Sequence, residues 1–328
     1  MFRRTLSAPK LLSDHMPFLA ESDGMCVMSW NILCQMKFNS IWEYFNNGFT
    51  CRDESDEEYR HRLSHIAAQL SAINEDDRRS VICLQECPET PELREQLIAD
   101  ITKQPAFSGY RARLFNNTED EYYLITMYDG NMYHEDEART NQIQAVVLKQ
   151  GLVGRILPLV LVNRVSGDMT VVINVHANFS QAITQDIICL EKQIKCLGIT
   201  NILLIGDFNR DLVSQSDDYS QHDVSLALDA SRLFGDTLQV QASNSASFCS
   251  TYDRTTSSCG QRLETRDGVM SSFEVKLVPM YAMNAPKNAL SFAHPVSKAL
   301  SFIPERFCNL EVAELPDIID VSASTLNL

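Results

Sequence analysis

Four apolar runs in the sequence each end on a side chain able to hold a cation, move a proton or grip a phosphoryl oxygen. Val27-Met28-Ser29-Trp30 ends in Asn31, Val81-Ile82-Cys83-Leu84-Gln85 in Glu86, Val171-Val172-Ile173-Asn174-Val175 in His176, and Ile202-Leu203-Leu204-Ile205-Gly206 in Asp207-Phe208-Asn209. Glu86 is a hard oxygen ligand suited to Mg²⁺, with Mn²⁺ as the alternative, because such an ion keeps several waters and takes one or two carboxylates plus substrate phosphate. Asn31 is expected to support that metal shell. Asp207 suits the orientation or deprotonation of an attacking water, while the Asn209 amide and His176 suit donation to phosphoryl oxygens. One polar residue closing a strand is ordinarily a turn former, but four of complementary chemistry point to a site. Asn174, His176 and Asn178 also share one face of their strand, where Asn174 can satisfy buried backbone.

These residues need strands that end at a common edge, where α/β sheets build their sites. Strand patterns fall at 25–33, 80–85, 122–128, 142–149, 155–165, 169–176 and 201–206, and again near 236–240, 262–271, 274–283 and 306–313. A helix is predicted from Ser55, where Ser55-x-x-Glu58 forms a capping box before apolar Tyr59, Leu63, Ile66, Leu70 and Ile73. Thr90-Pro91 opens a second helix, Ile183, Ile187, Leu190, Ile194 and Leu197 mark a third, and a fourth is expected around 224–233. Many strands with helices between them predict two packed sheets flanked by helices.

The segments Met28-Ser29-Trp30-Asn31-Ile32-Leu33, Ile82-Cys83-Leu84-Gln85-Glu86, Asn174-Val175-His176 and Gly206-Asp207-Phe208-Asn209 resemble, in order, the signature of the endonuclease/exonuclease/phosphatase superfamily, typified by deoxyribonuclease I. The resemblance spans roughly residues 25–300. It implies a four-layer α/β sandwich of two mostly antiparallel sheets, and Mg²⁺-dependent phosphoester hydrolysis without a covalent intermediate. It places Asn31 and Glu86 on the metal side, gives His176, Asp207 and Asn209 to phosphate and nucleophile, and pairs Asp267 with His294 as a tautomer-fixing dyad. One departure stands out: the family's Ser-Asp-His reads Phe292-Ala293-His294 here. Ala293 binds nothing, so weakened or single-metal binding is expected, at a cost of about ten- to a hundredfold.

The opening run to Gln35, followed by Tyr59-Arg60-x-Arg62-Leu63, is similar to the deadenylase branch, whereas Gly206-Asp207-Phe208-Asn209-Arg210-Asp211 matches the inositol-phosphatase pattern less well. The expected activity is therefore that of a phosphodiesterase or nuclease. The alternatives are an inositol-phosphate or lipid-headgroup phosphatase, and a catalytically weakened binding protein on the same scaffold. Arg210 and Arg266, with Arg254 and Arg262, are candidates for flanking phosphates, since guanidinium forks match phosphate oxygens. His61 and His65 stand four apart, a metal-binding spacing, but without a third ligand they read as an ordinary surface pair.

Composition bounds the partners. Lys and Arg number 28 against 43 Asp and Glu in 328 residues, and the net charge of −15 excludes a protein that coats nucleic acid, a mode that needs many cations to displace counterions. A phosphoester substrate, including short or single-stranded nucleic acid, stays compatible. No apolar run approaches the about 20 residues that span a bilayer, no signal-peptide pattern develops, and ten scattered cysteines without a Cys-x-x-Cys pair read as reduced thiols. A cytoplasmic protein is expected, although one delivered by a specialised secretion system would show the same features. The expected division is a flexible lead-in over 1–24, a catalytic domain over 25–315 and a C-terminal tail over 316–328.

Overall fold

Two six-stranded sheets form the centre of the computed structural model, which describes residues 13, 15, 17–22, 24–36, 54–71, 80–114, 123–152, 154–177, 184–209, 239–241, 251–253, 262–264 and 267–279. The first sheet takes β1 (Phe18–Ser22), β2 (Met25–Asn31), β3 (Val81–Cys87), β4 (Tyr110–Leu114), β5 (Tyr123–Asp129) and β14 (Lys276–Pro279), in the spatial order β14-β1-β2-β3-β5-β4. The second takes β6 (Tyr133–Glu135), β7 (Ile156–Asn163), β8 (Met169–His176), β9 (Asn201–Asp207), β10 (Gln239–Gln241) and β13 (Asp267–Ser271), in the order β10-β13-β9-β8-β7-β6. β11 (Thr251–Asp253) and β12 (Arg262–Glu264) pair as a separate ribbon. Each sheet contains one parallel pair, β2 with β3 and β8 with β9, and the other pairs are antiparallel.

A parallel pair requires a crossover long enough to hold a helix. α1 (Asp56–Ser71) lies in the β2-to-β3 crossover and α4 (Thr184–Cys196) in the β8-to-β9 crossover, while α2 (Pro91–Thr102) and α3 (Glu137–Lys149) fall in other connections. The predicted capping box forms at the start of α1: Glu58 N donates to Ser55 Oγ at 3.3 Å and Ser55 N to Glu58 Oε2 at 2.9 Å. Thr90 caps α2 by accepting from Leu93 N.

Strand alternation sorts the buried side chains into three layers. Val27, Cys83, Val172, Leu203 and Val269 point between the sheets. Met28, Trp30, Ile82 and Leu84 point outward onto Tyr59, Leu63, Ile66 and Leu97 of α1 and α2. Val171, Ile173, Ile202 and Leu204 point outward onto Ile143, Val147, Leu190 and Ile194 of α3 and α4. Helices, sheet, sheet and helices therefore make four layers, the architecture expected from the sequence.

Three expectations change. The segment 142–149, read as a strand from its β-branched run, is the end of α3: Asp136 caps the helix, Ile143 and Val147 are buried one turn apart, and Leu148 is exposed. Three short strands, β4, β6 and β11, were not anticipated. The flexible lead-in over 1–24 gives way where its apolar residues find a partner: Phe18–Ser22 forms β1 between β14 and β2, and Ser13 and His15 are buried. The helix expected at 224–233, the strand at 306–313 and the tail at 316–328 lie outside the described residues. No helix among the described residues is long and apolar enough to cross a membrane.

Candidate active site

Along the inner faces of both sheets the residue types change in one direction, because the strands keep their two-residue alternation to the last position. The apolar layer of Val27, Cys83 and Val172 is followed by Ser29, Gln85 and Asn174, and then by Asn31 and His176 at the carboxyl ends of β2 and β8. Register completes the set, since His176 lies beside Asp207 on β9 and Asp207 beside Asp267, the first residue of β13. The polar middle layer joins the sheets. Gln85 Nε2 donates to Asn174 Oδ1 at 2.7 Å, and Asn174 Nδ2 donates to Leu84 O and Ile125 O at 3.0 and 3.1 Å. Asn174 thus satisfies buried backbone, as read from the sequence.

Glu86 breaks the alternation. Simple period-two geometry would turn it outward toward the helices. Instead the β3–β5 register shifts between Leu84 and Cys87, and Glu86 takes a positive φ of 49° as the extra residue of this bulge. Cys87 then packs on the helix side, while Glu86 reaches the site. Gly206 meets a different constraint: its φ is 145°, and a Cβ there would stand 2.0 Å from Val175 O of the neighbouring strand. Only glycine allows the close approach that sets Asp207 beside His176.

All the side chains at this edge are buried, from 0% exposure for Asn31 to 8% for Asn209. Asn31 Nδ2 donates to Asp207 Oδ2 at 3.0 Å and to Glu86 Oε1 at 3.2 Å, while its Oδ1 accepts from Leu33 N at 3.0 Å. Asn31, expected on the metal side, therefore presents amide hydrogens and not an oxygen to the centre. The turn at Leu33, with φ 58°, has taken that oxygen. His176 Nε2 lies 3.3 Å from Glu86 Oε1 and 3.7 Å from Asp207 Oδ2. Cys34 N donates to Glu86 Oε2 at 3.4 Å, with Cys34 Sγ 3.7 Å from the same oxygen. Asn209 N donates to Asp207 Oδ1 at 2.7 Å and Asn209 Nδ2 to Ala177 O at 2.7 Å, which ties the turn after β9 to the end of β8.

Burial works to raise the pKa of Glu86, but the hydrogen bond and charge of His176, with help from His15 and Asn31, outweigh it and hold the carboxyl at about 2. Two groups of potential metal ligands share Asp207: Glu86, His176 and Asp207, and His15, Asp207 and Asp267, each with its donor atoms within 4.8 Å of one another.

The structure thus gathers Asn31, Glu86, His176, Asp207, Asn209 and Asp267. His294, Ala293, Arg210, Arg254 and Arg266 lie outside the described residues, and for Arg262 only its backbone place on β12 is described. His61 and His65 stack edge to face on α1 at 4.6 Å, and no third ligand joins them among the described residues. A cavity of about 910 Å³, lined by Gly24, Thr170, Asn201 and Phe273 among others, opens at the opposite edge, where β2, β8 and β9 begin. It touches none of the site residues.

His15 was missed from sequence. Its Nδ1 lies 2.8 Å from Asp267 Oδ2 and its Nε2 3.7 Å from Asp207 Oδ2. The one sequence signal for it is Asp23-Gly24 between two apolar runs, a hairpin signature that draws the preceding segment onto β2.

No protein-family profile matches the chain, and no curated protein matches it by sequence. By structure it is similar to the human Nocturnin catalytic domain with bound sulfate, at 13% identity and a TM-score of 0.44, covering 82% of this chain and 92% of that one. It is also similar to a mannosyl-6-phosphatase of Bacteroides thetaiotaomicron, at 11% identity and a TM-score of 0.44, covering 76% and 85% of the two chains. The endonuclease domain of TRAS1, a telomere-specific non-LTR retrotransposon, is similar at 11% identity and a TM-score of 0.44, covering 75% and 83%. Two mixed sheets packed face to face, with helices on both outer faces, make the chain a four-layer α/β sandwich, the architecture that the resemblance to the endonuclease/exonuclease/phosphatase superfamily implies.

Proposed function

We propose that the chain is a divalent-metal-dependent phosphoester hydrolase that cleaves a phosphodiester with an activated water. One observation carries the reading. Asp207 Oδ2 stands at the centre of the strand edge, held by the Asn31 amide at 3.0 Å and approached by His176 Nε2 at 3.7 Å, with Glu86 beyond that imidazole. Both oxygens of Asp207 are fixed, Oδ1 by Asn209 N and Oδ2 by Asn31, so its basic lone pairs are aimed before substrate arrives.

The donor set fits a cation. Glu86, Asp207 and Asp267 are three buried carboxylates in one cluster, which would repel a phosphate unless positive charge joined them. Glu86, His176 and Asp207 would hold Mg²⁺ or Mn²⁺, which when bound neutralises charge on phosphoryl oxygens and lowers the pKa of water. The mixed oxygen and imidazole set suits Mn²⁺ at least as well as Mg²⁺. Asp207 orients the attacking water and accepts its proton. The second amide hydrogen of Asn209, beyond the one given to Ala177 O, serves a phosphoryl oxygen, and the buried network around Asn174 keeps β3 and β8 in register with this task. The acidic surface favours a short or single-stranded substrate held at one or two phosphates over a long duplex.

The test is a substrate panel: bis(p-nitrophenyl) phosphate, short single-stranded RNA and DNA, and soluble inositol phosphates, each with Mg²⁺, with Mn²⁺ or with EDTA. Metal-dependent phosphodiester cleavage is expected, with kcat falling about 10²–10⁴-fold in Asp207→Ala and at least tenfold in Glu86→Ala. Turnover that survives both substitutions, or that ignores EDTA, overturns the assignment. Phosphate release from inositol phosphates without phosphodiester cleavage replaces it with a phosphatase. An inactive wild type made active by Ala293→Asp identifies a weakened scaffold.

A further inference from the structure

The two oxygens of Glu86 have different surroundings. Oε1 accepts from Asn31 Nδ2 at 3.2 Å and faces His176 Nε2 at 3.3 Å, while Oε2 accepts from Cys34 N at 3.4 Å and from Cys34 Sγ at 3.7 Å. We propose that Cys34 is a positioning residue that keeps Oε2 of Glu86 occupied, so that the carboxylate meets a cation through Oε1 alone and the site selects Mg²⁺ or Mn²⁺ over Ca²⁺.

The backbone builds this contact. Ile32 N donates to Gln85 O at 3.0 Å, which continues the β2–β3 pairing one residue beyond Asn31. The chain then turns at Leu33, whose φ is 58° and whose N–H is held by Asn31 Oδ1 at 3.0 Å. The buried guanidinium of Arg62 fixes the start of the turn through Nη1 on Ile32 O at 2.9 Å. Cys34 leaves this turn at 0% exposure with its N–H and its thiol on Oε2. From the other strand, the bulge that gives Glu86 its φ of 49° brings the carboxylate to meet them. Two non-glycine residues in the left-handed region, Leu33 and Glu86, thus define the contact, and such conformations persist only where the surrounding structure imposes them. A buried free cysteine ordinarily behaves as a small hydrophobe. Here its sulfur stands on a carboxylate oxygen.

Counting lone pairs gives the consequence. An ionised carboxylate has about four acceptor sites, shared between its two oxygens. The N–H and S–H of Cys34 take those of Oε2, and the Asn31 amide takes one on Oε1. What remains lies on the oxygen that faces His176, whose Nε2 is in turn 3.7 Å from Asp207 Oδ2. Ca²⁺ takes roughly six to eight oxygen ligands, often with a bidentate carboxylate, whereas Mg²⁺ demands octahedral geometry and keeps several waters around one or two carboxylates. A Glu86 limited to one oxygen suits the smaller ion and denies the larger one a bidentate ligand. Mn²⁺ accepts the same carboxylates and also the imidazole.

This inference rests on the metal-dependent hydrolase reading above, because it concerns the same cation, and the test keeps the two apart. Mn²⁺ binding to the full chain is measured by electron paramagnetic resonance of the free ion, with Mg²⁺ and Ca²⁺ as competitors. The proteins are the wild type, Cys34→Ser, Cys34→Ala and Glu86→Ala, each checked for folding by circular dichroism. The wild type is expected to bind Mn²⁺ and to release it to Mg²⁺ at lower concentration than to Ca²⁺, and Glu86→Ala to weaken binding at least tenfold. Cys34→Ala is expected to weaken Mn²⁺ about ten- to a hundredfold and to move the preference between Mg²⁺ and Ca²⁺ about tenfold toward Ca²⁺. Cys34→Ser, which retains a donor, is expected to stay close to the wild type. If Cys34→Ala keeps the wild-type affinity and preference while Glu86→Ala loses binding, the Cys34 inference falls and the metal reading stands. Equal losses in Cys34→Ala and Cys34→Ser reduce the thiol to packing and overturn its role as a donor. A wild type that takes Ca²⁺ as readily as Mg²⁺ overturns the selectivity. A wild type that binds none of the three ions, or a Glu86→Ala that binds as the wild type does, overturns both readings together.

Discussion

Truncating Asn174 to alanine should destabilise the chain far more than its small volume implies. Its side chain makes three short hydrogen bonds between the sheets, giving to Leu84 O and Ile125 O at 3.0 and 3.1 Å and taking from Gln85 Nε2 at 2.7 Å, with a longer contact to Thr126 Oγ1 at 3.4 Å, at 0% exposure. Gln85 Nε2 keeps Ser29 Oγ at 3.0 Å after truncation, so each lost bond is set at about 1 kcal/mol and not at the full cost of an orphaned group. Three bonds and a small cavity add to about 3–4 kcal/mol. That is a large share of a stability of about 5–15 kcal/mol, and it corresponds to a fall in Tm of the order of 10 °C. Urea unfolding followed by circular dichroism measures it. Asn174→Asp, which turns a carboxylate onto two carbonyls, should cost more than alanine, and Gln85→Ala with Asn174→Ala should cost less than the sum because they share one bond. A loss below about 1 kcal/mol in Asn174→Ala would mean that water fills this layer and that the sheets are not joined by the amide.

Gly206→Ala should lower Tm sharply or abolish soluble expression, since its Cβ would stand 2.0 Å from Val175 O at a φ of 145°; an unchanged Tm refutes the close approach. Arg62 is fully buried, with Nε and Nη2 on the two Glu54 oxygens at 2.8 and 3.0 Å and Nη1 on Ile32 O at 2.9 Å. Arg62→Lys cannot make all three bonds and should lose about 2–3 kcal/mol in thermal unfolding, with lower turnover because Ile32 follows Asn31. Asp136→Ala removes the cap of α3 and should cost about 1 kcal/mol at pH 7. Chiefly the Arg139 backbone N–H holds Asp136 below its ordinary 3.8, against partial burial. A carboxyl depressed on folding stabilises above its unfolded value, so the difference between wild type and Asp136→Ala should be constant above about pH 5 and shrink as pH falls through 3.8 and below. Urea midpoints of both proteins from pH 7 to pH 3 check it.

Asn31, His176 and Asp207 are legible in the sequence for a physical reason. Each ends an apolar strand, and period-two alternation carries it to the same inner face as the core residues before it. The orientation of Glu86 is not legible, because the same rule sends it toward the helices and only the bulge reverses it. The α3 segment misleads because Val146 and Val147 favour strands as isolated residues, whereas the cap at Asp136 and the burial of Ile143 and Val147 decide for a helix. The first strand is short and directly follows Pro17, so its apolar Phe18-Leu19-Ala20 is too brief a run to mark a strand, yet Ser22 pairs with Met25, the pairing that the Asp23-Gly24 signature announces.

The placement of His15 follows from that hairpin and not from any pattern around the histidine. Once β1 lies antiparallel to β2, the chain before Phe18 must run toward the carboxyl end of β2, the edge where Asn31 stands. β13 is antiparallel to β9 and therefore starts at this edge, so its first residue, Asp267, meets whatever the leading segment carries. Two antiparallel pairings, one in each sheet, thus direct the beginning of the described chain and a late strand to one point. The same geometry refines the meaning of the net charge of −15. That charge governs the surface and opposes contact with long nucleic acid. At the site, two imidazoles and a cation among Glu86, His176 and Asp207 would set the local potential, since a bound ion is often the largest charge in its neighbourhood.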